Sequence, residues 1–335
     1  MNNSAFNSTK IIEIIKQSNL AKLVLIDIVL FVAMSLLIPG LFLSSGNMSS
    51  MAVQFPGFGL LALAMMLPMI TGGIDLSVIG LSNVSAILAT LLLHNLVRPS
   101  EDISSIIIVE VLLAIALALV VGVAGGIING FIIAYIGVSP ILATLATGLI
   151  YTGLAVVITG GSAVTGLPEA FGWIGNGTLF FIPIPVIVFI LAAISLSYIL
   201  SQTAFGAKSY LFGANAIASR FAGIDNAVVT IKTYTVSGLY AAISGLIIAA
   251  RANSAKADYG SSYLLLAILI CVLGGVNPAG GAGRVAGVVL AVLALQFLSS
   301  GLNLLGVNNF ATELVWGVVL IFTMVVNQSA LTLRK

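Results

Sequence analysis

The sequence has little charge: only 7% of its 335 residues are Asp, Glu, Lys or Arg, against 60% hydrophobic. A soluble globule uses roughly 25% charged residues to cover its surface, so this chain is not one. It holds a single cysteine, Cys271, inside an apolar run, which excludes an intrachain disulfide and says nothing of the redox compartment. One histidine, His94, cannot make a zinc site or a His-Glu-x-x-His protease motif. No Gly-x-x-x-x-Gly-Lys-Ser/Thr loop is present, since Gly206-Ala-Lys208-Ser209 lacks the glycine-rich cradle, so any nucleotide hydrolysis belongs to a partner. The net charge of +2 gives no reason to invoke nucleic acid.

What is present is apolar sequence in long blocks, with a mean hydropathy of +1.23. Runs recur at 23–43, 51–71, 76–93, 104–135, 141–160, 179–200, 232–250, 262–275, 282–300 and 309–327. Most reach the ~20 residues that cross ~30 Å of hydrocarbon as helix. A β-barrel would alternate in segments of about ten residues instead. The reading is an all-α integral membrane protein of about ten transmembrane helices, folded as one membrane domain over 1–335. The first run is too long for a secretory signal and lacks a small-x-small cleavage site, so it is expected to stay as a span. Residues 10–20, with Ile11, Ile12, Ile14 and Ile15 beside Lys10, Glu13 and Lys16, read as an interfacial helix or as a plain tail.

If the spans alternate from a cytoplasmic N-terminus, Lys10, Lys16, Lys22, Lys208, Arg220, Lys232, Arg284, Arg334 and Lys335 lie inside, and Arg98, Arg251 and Lys256 outside. That is the positive-inside pattern, and it puts both termini and the polar island 203–225 in the cytoplasm. Within the island, residues 214–222 read as a short amphipathic helix with Ile217 and Phe221 on one face, Asn215 and Arg220 on another, and Gly213 and Gly223 as punctuation. So short a helix needs a surface to dock on. The surface is either its own membrane domain or a partner. The run 273–284, Leu-Gly-Gly-Val-Asn-Pro-Ala-Gly-Gly-Ala-Gly-Arg, breaks helix and is a re-entrant element or a cytoplasmic turn.

Intramembrane polar residues are functional candidates by default. Asp27, Glu110 and Glu313 fall close to span ends and are expected at the interface. Asp75 follows two glycines, so it caps the next helix or lines a path. Thr144, Thr147 and Tyr151 stand at i, i+3 and i+7 on one helix face, as hydroxyls of a hydrated path or as packing groups. Asn303 joins them as a candidate. Gly122, Gly125, Gly126 and Gly130 are expected to let helices approach closely.

Read in order, Gly72-Gly-Ile-Asp-Leu-Ser-Val78, Pro140-Ile-Leu-Ala-Thr-Leu-Ala-Thr147, Thr203-Ala-Phe-Gly206 with Gly213-Ala-Asn215 and Ala222-Gly-Ile224, Leu273-Gly-Gly275 with Gly280-Gly-Ala-Gly283, and Gly301-Leu-Asn-Leu-Leu-Gly-Val307 make a series of motifs. The series resembles the permease subunit of bacterial ATP-binding-cassette importers of the ribose-type sugar branch, whose relatives also carry other monosaccharides and the autoinducer-2 signal. It spans roughly residues 50–327, with Ala146 and Ala214 standing where relatives usually carry Gly and Ala207 where many carry Arg. The resemblance implies a type II-like importer permease in the bacterial cytoplasmic membrane. It also implies a second permease copy or paralogue, two cytoplasmic ATPase subunits seated on 203–225, an extracytoplasmic sugar-binding protein, no cofactor and no catalysis by this chain. The competing reading is a secondary transporter driven by an ion gradient, which would keep networked ionisable groups at mid-membrane.

Overall fold

The computed structural model describes residues 19–96 and 105–332. Lys10, Lys16, Arg98, Arg334, Lys335 and residues 10–18 of the 10–20 segment lie outside them. In chain order the helices are α1 Asn19–Leu37, α2 Ser45–Ile70, α3 Val78–Leu96, α4 Ser105–Phe131, α5 Pro140–Thr159, α6 Glu169–Asn176, α7 Ile184–Gln202, α8 Ala204–Ala214, α9 Ala216–Phe221, α10 Asn226–Ala252, α11 Tyr263–Leu273, α12 Val285–Leu304 and α13 Asn309–Thr332. A turn of π-helix, Ile132–Ile136, extends α4. Among the described residues, eight helices are long and apolar enough to cross a membrane, and Tyr263–Leu273 and Phe310–Val325 are shorter apolar helices. Together they account for the ten apolar runs.

α2 and α10 form the axis. From Phe58 to Ile70 every residue of α2 is buried, and α10 is buried along most of its length. Buried on all sides, α2 tolerates Pro56 and Pro68 because neighbours can satisfy the freed backbone groups. Side chains of α10 also reach its backbone: the Ser244 hydroxyl donates to the Gly57 carbonyl at 2.8 Å. In hydrocarbon there is no hydrophobic force between helices, so contact depends on how closely backbones approach. Gly122, Gly126 and Gly130 of α4 lie directly against the backbone of α10 at Gly238, Tyr234 and Ile231. A Cβ at Gly126 would collide with the Tyr234 carbonyl.

The links gather at two ends. At one end, the chain after α2 and the 274–284 loop meet α8: Gly281 N–H donates to the Ile70 carbonyl at 2.8 Å, and the Tyr210 hydroxyl donates to the Gly283 carbonyl at 2.8 Å. At the other end, β1 (Val164–Thr165) pairs antiparallel with β4 (Ser254–Ala255), and Asn176 of α6 donates to the Ala250 carbonyl. A second short antiparallel pair, β2 (Thr178–Leu179) with β3 (Ile182–Pro183), leads into α7.

Between α2 and α3 the chain is not helical. Residues 73–77 run back into the bundle beside the first turns of α5, with Gly73 at Pro140, Leu76 at Thr144 and Ser77 at Gly148. Gly72, at φ +81°, makes the reversal. Irregular backbone at such depth needs partners from the protein, and the side chains described next supply them.

Candidate functional site

Asp75 sits at the centre of this irregular segment with 1% of its surface exposed. One carboxyl oxygen accepts from the Ser77 backbone N–H (3.0 Å) and the Ser77 hydroxyl (2.6 Å). The other accepts from the Ser237 hydroxyl of α10 at 2.8 Å. Asn129 of α4 donates in turn to the Ser77 oxygen at 2.7 Å. All of these partners are neutral, and they tie three elements to one acid. The Ser77 contacts hold Asp75 three residues before Val78, the first residue of α3, in a turn that leads into the helix.

Thr144, Thr147 and Tyr151 all face inward on α5. The Thr144 hydroxyl accepts from the Leu76 N–H at 3.0 Å and has the Pro140 (2.8 Å) and Ile74 (3.0 Å) carbonyls within reach of its own proton. Tyr151 donates to the Gly125 carbonyl of α4 at 3.0 Å, and Thr147 makes a longer 3.3 Å bond to its own helix at Thr144. Asp75 and Thr144 thus share the 74–77 segment. Asn303 is elsewhere, exposed near the end of α12.

Ser237 and Asn129 were passed over in the sequence, as were two buried groups without hydrogen-bond partners in the protein, Tyr234 Oη and Asn129 Oδ1. A signal existed. Thr230, Thr233, Ser237 and Ser244 are buried polar residues on α10 at helical spacing. Asp27, expected near a span end, lies in the middle of α1, buried, with neither carboxyl oxygen hydrogen-bonded in the protein.

The island 203–225 folds as two helices where the sequence reads as one over 214–222. The reason is Asn215, whose side chain accepts from the Ile217 and Ala218 N–H groups at 3.0 and 2.9 Å and so starts α9 afresh. Thr203 caps α8 in the same way, through Gly206 N–H. Gly223, at φ +76°, ends α9. The side of α9 that packs on the bundle is Ser219, bonded to Asn226 at 2.8 Å, while Ile217 is 71% and Phe221 89% exposed. Arg220 is also exposed. Gly213 rests against the Ile70 carbonyl and Gly281 N, where any side chain would collide. A cavity of about 520 Å³ joins this point to the irregular segment, with Gly72, Pro140, Gly213 and Asn215 in its wall.

A second cavity, about 450 Å³, opens among α2, α11, α12 and α13 at the end of α2 away from Ile70. Its wall includes Asn47, Ser50, Gln54, Gln296, Ser299, Ser300, Asn303, Thr312 and Glu313 with the aromatic rings of Phe58, Tyr263 and Trp316. Ser300 donates to Asn47 across the wall at 2.9 Å. Gln296 Nε2 and Trp316 Nε1 are buried in this wall without a hydrogen-bond partner in the protein. Among the described residues no three His, Cys, Asp or Glu side chains come together to hold a metal.

A bundle of membrane-length helices, with irregular backbone threaded through it and a cavity near each end, is the architecture of a multi-pass membrane protein. The chain belongs to the family of permease components of branched-chain amino acid transport systems, which it matches over residues 47–324. It is 37% identical over 302 residues to the ribose import permease protein RbsC of Bacillus subtilis, covering 90% of each chain. It is 36% identical over 318 residues to RbsC of Escherichia coli K12, covering 93% of each, and 33% identical over 297 residues to the L-arabinose transport system permease protein AraH of the same strain, covering 89% of this chain and 87% of AraH. No solved structure matches the chain.

Proposed function

We propose that this chain is the membrane-spanning, non-catalytic subunit of an ATP-binding-cassette importer, and that it passes a monosaccharide or similarly small polyol across the bacterial cytoplasmic membrane. The observation that carries the reading is kinship along nine tenths of the length with permeases named for ribose. A separate ATPase supplies the energy, an extracytoplasmic binding protein delivers the sugar, and a second permease copy or paralogue completes the membrane unit. Residues 203–225 and both termini face the cytoplasm. The polar cluster at Asp75, with Thr144, Thr147 and Tyr151, and Asn303 at the far end line the path.

The coupling face is built from Gly213, Asn215, Ile217, Arg220, Phe221 and Gly223. Two large apolar side chains held outward on a capped helix favour a protein partner over the membrane domain itself, because the bundle side of α9 is already occupied by Ser219. Movement of α8 and α9 with the ATPase reaches Ile70 directly, since no side chain intervenes at Gly213. From Ile70 it passes to the 71–77 segment and the polar cluster. The alternative, an ion-driven carrier, would draw energy within this chain, yet the Asp75 cluster contains no second ionisable hydrogen-bond partner.

The test is reconstitution of the chain alone in liposomes under an imposed proton or sodium gradient, beside the complex with its ATPase and binding protein. Uptake of D-ribose or L-arabinose is expected only from the complex with ATP inside. Concentrative uptake by the chain alone would refute the assignment.

A further inference from the structure

The family description names amino acids and the similar permeases name sugars, and the cavity among α2, α11, α12 and α13 discriminates between these chemistries. An amino acid brings a carboxylate and an ammonium; its carboxylate needs a cation or an array of N–H donors at a helix end. No lysine or arginine stands in this wall, and its one ionisable carboxyl is Glu313. The wall does include the N-terminal residues of α11, Ser262 and Tyr263, but its fixed charge is negative, so it offers a carboxylate no cation. A neutral polyol meets a complementary surface: buried amide and indole donors at Gln296 and Trp316, amide and hydroxyl groups at Asn303 and Ser299, and a carboxylate acceptor at Glu313. The volume, about 450 Å³, falls within the 300–1,000 Å³ usual for small-molecule sites.

We propose that this cavity is the site where a neutral saccharide first enters the membrane bundle, with Gln296 and Trp316 donating to its hydroxyls and Glu313 accepting from one. The inference rests on the transport reading above and assigns a place and residues to the solute's entry. Three features carry it. The two donors are buried in the cavity wall without partners in the protein, whereas the neighbouring Asn47 and Ser300 already satisfy each other. The cavity lies at the end of α2 remote from Gly213 and the coupling helices, where a delivered solute would arrive. Its polar groups sit beside aromatic rings, an arrangement suited to a solute with both C–H and O–H faces.

The test uses the assembled complex with Gln296→Leu and Trp316→Phe, singly and together. Each variant removes a buried donor that has no partner in the protein, so folding and ATPase activity are expected to hold. Maximal D-ribose or L-arabinose uptake is expected to fall about fivefold to tenfold per donor, the worth of about one hydrogen bond to the solute. The external concentration for half-maximal uptake is expected to stay constant, because the binding protein sets it.

A second measurement does not depend on transport. In a Cys271→Ser background, Ser299→Cys is alkylated in the presence of millimolar D-ribose, L-arabinose or L-leucine. Slower alkylation with the sugars and not with leucine supports the site. Slowing by leucine overturns the saccharide assignment, and slowing by none overturns the site. If the wild-type complex imports sugar while both variants transport normally, this inference alone fails. If it imports leucine in place of sugar, the transport reading fails with it.

Discussion

Replacing Asp75 tests whether the irregular 73–77 segment is held by its carboxyl group. Asp75→Leu removes the acceptor for Ser77 N–H, Ser77 Oγ and Ser237 Oγ. Ser237 can turn back to a carbonyl of its own helix, but the Ser77 amide is fixed in the backbone and cannot. Each of the two stranded Ser77 donors costs about 1–3 kcal/mol, so the leucine variant is expected to lose roughly 2–6 kcal/mol. For large domains that corresponds to an apparent melting point lower by roughly 5–15 °C. Asp75→Asn keeps one oxygen for both Ser77 donors and presents an amide to Ser237, whose hydroxyl can switch to accepting. Its cost is about 1 kcal/mol. The assay is thermal unfolding in detergent followed by intrinsic fluorescence, paired with uptake by the reconstituted complex. A stable, active asparagine variant assigns Asp75 to holding the segment, and a stable, inactive one assigns its charge to the path. Wild-type melting and wild-type uptake for Asp75→Leu would refute the reasoning.

Three further outcomes are expected. Ile217→Asp and Phe221→Asp should abolish copurification of the ATPase while leaving membrane insertion and melting unchanged, since both side chains are exposed in the chain by itself; retained copurification would move the docking surface elsewhere. In a Cys271→Ser background, Lys208→Cys and Asp258→Cys, both exposed, should react with an impermeant thiol reagent from opposite sides of the membrane, and labelling from one side would break the alternating topology. Thr144→Val strands the Leu76 amide and should cost about 1–3 kcal/mol, whereas Thr147→Val, whose hydroxyl makes only one 3.3 Å bond to its own helix, should leave melting unchanged and report on maximal uptake alone.

The spans were legible because the bilayer forces them to be. A helix must carry about twenty apolar residues to cross hydrocarbon, and the ten runs in the sequence stand where the eight long and two short apolar helices do. The inward face of α5 was legible too, since i, i+3 and i+7 fix a common direction whatever lies opposite. Depth was not. Gly72 and Gly73 mark the end of α2, but only the packed bundle brings the chain back past Pro140 and Thr144 so that Asp75 meets Ser237, 162 residues on. A row of hydroxyls at helical spacing marks a buried face of α10 but carries no sign of which acid it will meet.

The same limit separates Asn303 from the residues grouped with it in the sequence. Nothing in the order of the chain tells that Asn303 lies in a cavity at one end of α2 while Gly72, at the other end, lines a second. The helix axes between them are close-packed: residues Leu60–Ile70 are fully buried, and Cys271 donates to the Ala62 carbonyl at 3.2 Å. Cores of this density switch between discrete packings and do not deform continuously. On the proposed path, a solute going from the Gln296–Trp316 cavity to the one beside Gly213 needs a rigid-body displacement of helices relative to α2. In that proposal the contact that would drive it is Gly213 against Ile70, where backbone meets backbone and a push on α8 has no side chain to absorb it.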